Sequence, residues 1–287
     1  MPISEKNQIM PSTLYLVATP IGNLADLSER AVKVLSEVDF IAAEDTRNSG
    51  HLLSYLNIQK PLVSYHEHNK RERGEQICDR LQAGESCALV TDAGTPAISD
   101  PGEDLVALCA KRGITVTSIP GCCAGITALT LSGLPTGRFT FEGFLSVNKS
   151  DRKKHLDSLK SESRTMIFHE APHKLKATLS DLRDTFGDSR RISLCRELTK
   201  LNEEVLRMTL SEAMAYYEEN APRGEYVLVL EGADADSNST ETFWTDMTVP
   251  EHVAHYVEKG MTKKDAIKAA AKDRGVPKNE VYQQVLE

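Results

Sequence analysis

One stretch constrains the fold more than any other: Leu89 to Gly102 reads L-V-T-D-A-G-T-P-A-I-S-D-P-G. A short apolar run closing on Thr91-Asp92 predicts a buried strand, and Gly94, Pro96, Pro101 and Gly102 then deny the chain an ordinary helix for about a dozen residues. The chain must leave the sheet edge as a shaped loop. Gly94 lets a ligand approach bare backbone, Pro96 stiffens the turn, and Asp92, Thr95 and Ser99 supply a carboxylate and two hydroxyls. Such a loop suits a polar cofactor. Taken alone, a plain connection in which Asp100 caps a helix from near Glu103 accounts for the same residues equally well. Neither G-x-G-x-x-G nor G-x-x-x-x-G-K-[ST] occurs in the chain, so neither nucleotide fingerprint explains the loop.

The pattern recurs along the first half. Leu14 to Ala18 predicts a strand that breaks at Thr19-Pro20-Ile21-Gly22-Asn23, and a helix follows, capped by Asp26 or Ser28, with Ala31, Leu35 and Val38 on one face. A strand Phe40 to Ala43 ends in Glu44-Asp45-Thr46-Arg47. Another near Leu62-Val63 runs into Ser64-Tyr65-His66-Glu67-His68-Asn69, and a charged helix from Arg71 to Leu81 follows, with Gly84 just after it as a stop. A strand from Ile114 to Ile119 ends in Pro120-Gly121-Cys122-Cys123-Ala124. Strands alternating with helices predict a parallel sheet with right-handed crossovers, and ligands of such sheets bind at the C-terminal edge. All five tips carrying unusual residues fall there.

Gly133-Leu-Pro-Thr-Gly137 marks a boundary. The fold class expected is α/β, with an α/β domain over 12–136, a second over 137–232, an acidic, Ser-rich linker over 233–249 and a small helical module over 250–287. Strands in the second domain are expected at 139–144, 165–168, 191–195, 205–210 and 226–230, with helices near 154–159, 175–186 and 211–219. In the module, Thr262-x-x-Asp265 reads as a capping box, Gly275 as a stop and Pro277 as the start of a second short helix.

At 287 residues, 40% hydrophobic and 26% charged, the chain reads as a soluble globular protein. No basic segment followed by an apolar core opens the sequence, and no apolar run approaches the ~18 residues of a membrane span, so a cytoplasmic protein is expected. Six cysteines show no C-x-x-C pair and no zinc spacing, which predicts packing thiols and no metal. A net charge of −8 argues against coating nucleic acid by bulk attraction. Two local basic patches remain. Seven Lys/Arg against two Asp lie between Lys259 and Lys278, and five against two between Lys149 and Lys160. An acidic body with such patches can hold a structured polyanion.

P-I-G-N (20–23), A-E-D-T-R (43–47), D-A-G-T-P-A-I-S-D-P-G (92–102) and P-G-x-x-A (120–124), in this order, resemble the tetrapyrrole methylase family. Y-H-E-H-N (65–69), H-E-A-P-H (169–173) and R-G-E-Y-V-L-V-L-E-G (223–232) narrow the likeness to its branch acting on ribosomal RNA. The resemblance covers about Leu14 to Gly232. It implies two α/β domains with S-adenosylmethionine in the cleft between them, a homodimer, and methyl transfer to a ribose 2′-hydroxyl of a cytidine in the decoding region of small-subunit (16S) ribosomal RNA, free or in the assembled subunit. It carries cofactor binding onto Pro20, Asp92, Ala93, Gly94, Thr95, Ile98, Pro120, Cys123, Ala124, Glu170 and Leu198. Thr95, Cys123, Glu170 and Leu198 depart from the Asp, Thr, Met and Gly of the porphyrin-methylating relatives.

Methyl transfer from a sulfonium is an in-line displacement needing neither metal nor covalent intermediate, so alignment dominates. A ribose hydroxyl still benefits from a base. Asp45, Asp92, His66, His68 and Glu170 are the candidates at strand ends, and Asp45 is favoured because the family's proposed proton acceptor falls on it. Glu44-Asp45-Thr46-Arg47 reads more readily as a capping and ion-pair cluster. For RNA binding the expected residues are Arg47, His66, His68, Asn69, Arg152, Lys153 and Lys154, with Lys70 and Arg71 beside them. The competing readings are porphyrinoid C-methylation on the same fold, a nucleotide-dependent oxidoreductase, and a non-catalytic RNA-binding protein.

Overall fold

The computed structural model describes residues 8–233, 244 and 247–286. The chain divides into two compact units, the break falling after Gly232. Most of the predicted linker lies outside the described residues.

In the first unit, β1 (Thr13–Val17), β2 (Phe40–Ala43), β3 (Leu62–Ser64), β4 (Cys87–Val90) and β5 (Thr115–Ile119) form a sheet ordered β3-β2-β4-β1-β5. Every pairing is parallel. The strands are joined by α1 (Glu29–Glu37), α2 (Thr46–Tyr55), α3 (Lys70–Gln82) and α4 (Gly102–Lys111). Ser28, not Asp26, caps α1, its side chain accepting from the Ala31 N–H at 3.1 Å. Alternate strand residues face opposite sides. Tyr15, Val17, Ile41 and Val90 pack with Val34 and Leu35 of α1 and Leu53 of α2. Leu14, Phe40 and Leu89 pack with Ile77 and Leu81 of α3 and Leu105 of α4. Adjacent strands β1 and β4 therefore send their chains to opposite faces, and a crevice opens between their C-terminal tips.

After β5 the chain enters α5 (Ala124–Leu131) and crosses to the second sheet. There β6 (Phe139–Phe144), β7 (Thr165–Glu170), β8 (Arg191–Arg196), β9 (Glu204–Thr209) and β10 (Tyr226–Leu230) run in the order β6-β7-β10-β8-β9. Only β6 and β7 are parallel. The last strand, β10, sits in the centre, which explains its unbroken apolar run Tyr226 to Leu230. One face packs Met166, Phe168, Leu194 and Leu228 against α6 (Lys149–Ser158), α7 (Leu175–Phe186) and α8 (Leu210–Glu219). The other packs Ile167, Cys195, Val227 and Val229 against Ala128 and Leu129 of α5. Helix α6 starts five residues before the expected Lys154, because Asn148 caps it by accepting from the Ser150 and Asp151 N–H groups.

The second unit holds α9 (Val249–Glu258), α10 (Lys263–Arg274) and α11 (Lys278–Leu286) around Val253, Ala266, Ile267, Ala270 and Val281. Two helices were expected where three stand. The extra one, α9, has a complete capping box, Thr248 with Glu251, and a proline in its first turn. Among the described residues no helix is long and apolar enough to cross a membrane.

A candidate cofactor cleft between the two sheets

The crevice is closed at its base by backbone. Thr19 and Gly94 exchange two hydrogen bonds, 2.9 and 3.1 Å, and the Thr19 hydroxyl donates to the Thr91 carbonyl at 3.2 Å. Gly94 has φ +85°, and a Cβ there would stand 3.4 Å from the Ile21 side chain. The Thr95 hydroxyl donates to the Cys122 carbonyl at 2.8 Å, tying the β4 loop to the β5 loop. Asp100 then organises the rest of the expected loop. Its carboxylate accepts from the N–H groups of Ala97 (3.0 Å), Ile98 (3.3 Å) and Gly102 (2.7 Å), the last opening α4.

Two loops, one from each sheet, share an unusual backbone. Ala97 and Ser99 have φ of 67° and 64° on either side of Ile98, and Glu197 and Thr199 have φ of 51° and 66° on either side of Leu198. Each such non-glycine residue costs about 1–3 kcal/mol and persists only where its surroundings over-determine it, and such strain gathers at functional sites. Here the surroundings do so. Asp100 holds the first loop, while Glu197 accepts from the Glu225 N–H (3.0 Å) and from Lys200 (2.9 Å), and Lys200 also reaches Glu225 at 2.8 Å. The result is that Ile98 and Leu198 are both delivered to the cleft.

The cleft has two adjoining lobes. The smaller, about 220 Å³, is lined by Ile98, Ile126, Phe139, Phe141 and Ile167, with Gly94, Thr95, Cys123 and Ala124. The larger, about 530 Å³, is acidic: Glu44, Asp92, Asp100, Glu170, Glu197 and Glu225 line it against Lys200. Ile21, Ala93, Ile98, Ala124 and His169 border both. A lobe with six carboxylates and one ammonium attracts a cationic ligand and opposes a polyanionic one.

Nine of the eleven residues expected at the cofactor line these lobes: Asp92, Ala93, Gly94, Thr95, Ile98, Cys123, Ala124, Glu170 and Leu198. The other two do not. Pro20 borders a neighbouring hollow of about 340 Å³ with Asn48, His51, Tyr55 and Asp92, and Pro120 is an exposed residue beyond the lining. Glu170 is buried and occupied, accepting from the Ala171 N–H at 2.8 Å and from the Thr178 hydroxyl.

Asp45 stands outside both lobes. It caps α2, accepting from the Arg47 N–H at 2.8 Å, and pairs with the Arg47 guanidinium at 2.9 Å, which holds its carboxyl down at about 2. Among the residues expected at RNA, Arg47 is highly exposed. Asn69 is spent on its own turn, donating to the Ser64 carbonyl and accepting from the His66 N–H at 2.8 Å. His66 lies edge-on to the exposed His68, ring centroids 5.9 Å apart. Lys70 bridges Glu67 and Asp104, and Arg71 shares a groove with Glu72, Glu75 and Asp79. On α6, Lys153 and Lys154 are exposed, whereas Arg152 is mostly covered, bonded to Asp181 at 2.6 Å and to the Ser146 carbonyl at 3.1 Å.

Sequence reasoning assigned no role to His169, Lys200, Glu225 or the phenylalanines of β6. Phe139 and Phe141 show the period of two that places them on one face of a strand, but nothing local says which face meets a cleft. Burial lowers the His169 pKa from the usual imidazole value, the Glu225 carboxylate acting the other way.

Two sheets with an acidic cleft at the C-terminal edge of the parallel one are the fold of a family of methylases. The chain belongs to the Tetrapyrrole (Corrin/Porphyrin) Methylases, whose family model matches residues 13–214. Similar curated proteins carry the name "Ribosomal RNA small subunit methyltransferase I". One from Halalkalibacterium halodurans is 50% identical, covering 94% of this chain and 93% of the relative. Another, from Bacillus subtilis, is 49% identical over 94% and 92%, and one from Escherichia coli O157:H7 is 42% identical over 96% and 94%. Two solved structures share the fold: diphthine synthase (TM-score 0.59, 14% identity, 77% of this chain and 90% of that one), and the uroporphyrin-III C-methyl transferase of Thermus thermophilus complexed with S-adenyl homocysteine (TM-score 0.54, 20% identity, 76% and 97%).

Proposed function

We propose that this chain is an S-adenosylmethionine-dependent methyltransferase that methylates the ribose 2′-hydroxyl of a cytidine in the decoding region of small-subunit (16S) ribosomal RNA. The observation that carries the reading is near-full-length identity of 42–50% to proteins named for small-subunit ribosomal RNA methylation. The solved relatives, at 14–20% identity, speak to fold and not to a porphyrinoid substrate.

The residues fit the cofactor. An apolar lobe joined to an acidic one accepts a ligand that is part nucleoside and part cationic amino acid, and the bare backbone at Gly94 permits close approach. When bound, the cofactor supplies a methyl group on a positively charged sulfur. The chain's part is to hold the acceptor oxygen in line with it, and orientation of this kind is worth roughly 7–11 kcal/mol. Ile98 and Leu198, from opposite sheets, would hold the ligand, and the lobe's carboxylates would favour its positive charge. RNA, a polyanion, stays outside the acidic lobe, the exposed Arg47, His68, Lys153 and Lys154 meeting phosphate while one nucleoside enters. The protein acts in the cytoplasm as a homodimer, which sedimentation would show as twice the chain mass.

The test is mass spectrometry of small-subunit RNA from cells lacking the protein. Loss of one cytidine 2′-O-methyl group, restored by the wild-type gene and not by a Gly94→Val variant, is expected. Unchanged RNA would overturn the reading.

A further inference from the structure

Six carboxylates and one imidazole line the cleft. Glu44 accepts from the Thr91 hydroxyl at 2.8 Å and Asp92 from the Asn48 amide at 3.4 Å. Asp100 is held by three backbone N–H groups, Glu170 by Thr178 and the Ala171 N–H, and Glu197 and Glu225 by Lys200. All six therefore already accept at least one hydrogen bond from within the chain, Asp92 the longest of them, at 3.4 Å from an exposed amide.

His169 differs on every count. Among the described residues it is the one imidazole that borders both lobes, so it stands where they meet. Its Nε2 is buried and has no hydrogen-bond partner among those residues. The ring is held edge-on by Phe141 and Phe144, with centroids 5.2 and 5.4 Å away. Phe144 is itself 60% exposed, a cover that an entering nucleoside can displace. Elements on three sides supply its surroundings: β6 those two rings, β10 the apolar Val227 paired with it across the sheet, and the loop before β10 the Glu225 carboxylate. An orphaned buried ring nitrogen is costly, and the cost is recovered when a substrate O–H donates to it.

We infer that His169 is the catalytic base, its Nε2 taking the proton of the ribose 2′-hydroxyl as the oxygen attacks the methyl carbon. This rests on the function proposed above. The O–C bond forms as the C–S bond breaks, the pair of electrons returns to sulfur, and the proton ends on the imidazole, from which water removes it. Burial keeps the ring neutral and able to accept at physiological pH.

The experiment compares wild type, His169→Asn, His169→Gln and Asp45→Asn. It measures S-adenosylhomocysteine affinity and, across about pH 5 to 9, the single-turnover rate of methyl transfer to small ribosomal subunits. Both His169 variants are expected to bind S-adenosylhomocysteine as wild type does and to lose about 10²–10⁴-fold in rate, together with the acid limb of the pH profile. Wild-type rate for either His169 variant, or an acid limb that survives in both and vanishes in Asp45→Asn, would overturn the inference. Loss of S-adenosylhomocysteine affinity in both would also overturn it and make His169 a cofactor-positioning residue. Failure of the underlying function is separately visible. Wild type would then methylate a different acceptor, on which the same comparison of His169 variants decides, or no acceptor, which overturns both.

Discussion

At the scale of single residues, the loops bordering the cleft owe their shape to a few polar side chains. Tyr65, at the end of β3, is 2% exposed and donates from its hydroxyl to the Pro101 carbonyl at 3.0 Å, fastening the edge of the sheet to the 92–102 loop. Tyr65→Phe removes that bond and leaves the carbonyl with the Asp104 N–H alone, at 3.2 Å. A loss of about 0.5–1.5 kcal/mol in chemical denaturation is expected, with weaker S-adenosylhomocysteine binding by calorimetry. Gly102 is a matter of space. A Cβ there would lie 2.6 Å from the Asp100 carboxylate and 2.9 Å from the Ala97 nitrogen, so Gly102→Ala should disturb the Ile98 loop and cost cofactor affinity more than stability. Asp45 gives a pH-dependent prediction. Its folded-state pKa, about 2, lies below the ordinary 3.8, so its contribution is present above about pH 4 and fades as pH falls toward 2. Asp45→Asn should therefore lower the melting temperature at pH 6 and make little difference near pH 2.

Secondary-structure elements sort charges that look alike in sequence. Arg152, Lys153 and Lys154 are consecutive on α6, yet only the lysines are exposed, while Arg152 ties α6 to Asp181 of α7. Charge reversal of Lys153 and Lys154 should leave the melting temperature alone and weaken RNA binding, and the slope of log affinity against log salt should become shallower by about one for each phosphate no longer neutralised. Arg152→Ala should instead destabilise the protein by about 1.5–3 kcal/mol, because it strands Asp181 and the Ser146 carbonyl. Filter binding over a salt series, set beside thermal melts, separates the two effects. Helical spacing shows why a sequence alone could not: neighbours on a helix point about a third of a turn apart, and which direction faces α7 depends on how the helices pack.

For the whole molecule, the cleft exists because two sheets built by different rules meet at α5. Much of this was legible in the chain. The five strand tips with proline, glycine and polar residues, the alternation that makes the first sheet parallel and the apolar run of β10 are local signals, while the eleven expected cofactor residues came from the family resemblance, and nine of them line the two adjoining lobes. Turn chemistry and periodicity are properties of a few adjacent residues, so they can be read without knowing the rest. What only the tertiary structure decided is how distant segments meet: that β1 and β4 are neighbours and part at their tips, that Ile98 and Leu198 are delivered by matching strained loops, that Pro20 turns toward a different hollow, and that His169 of β7 borders both lobes. Those outcomes depend on strand order and on which face of each sheet is covered, set by packing among residues far apart in the chain, where no short-range pattern can carry the information.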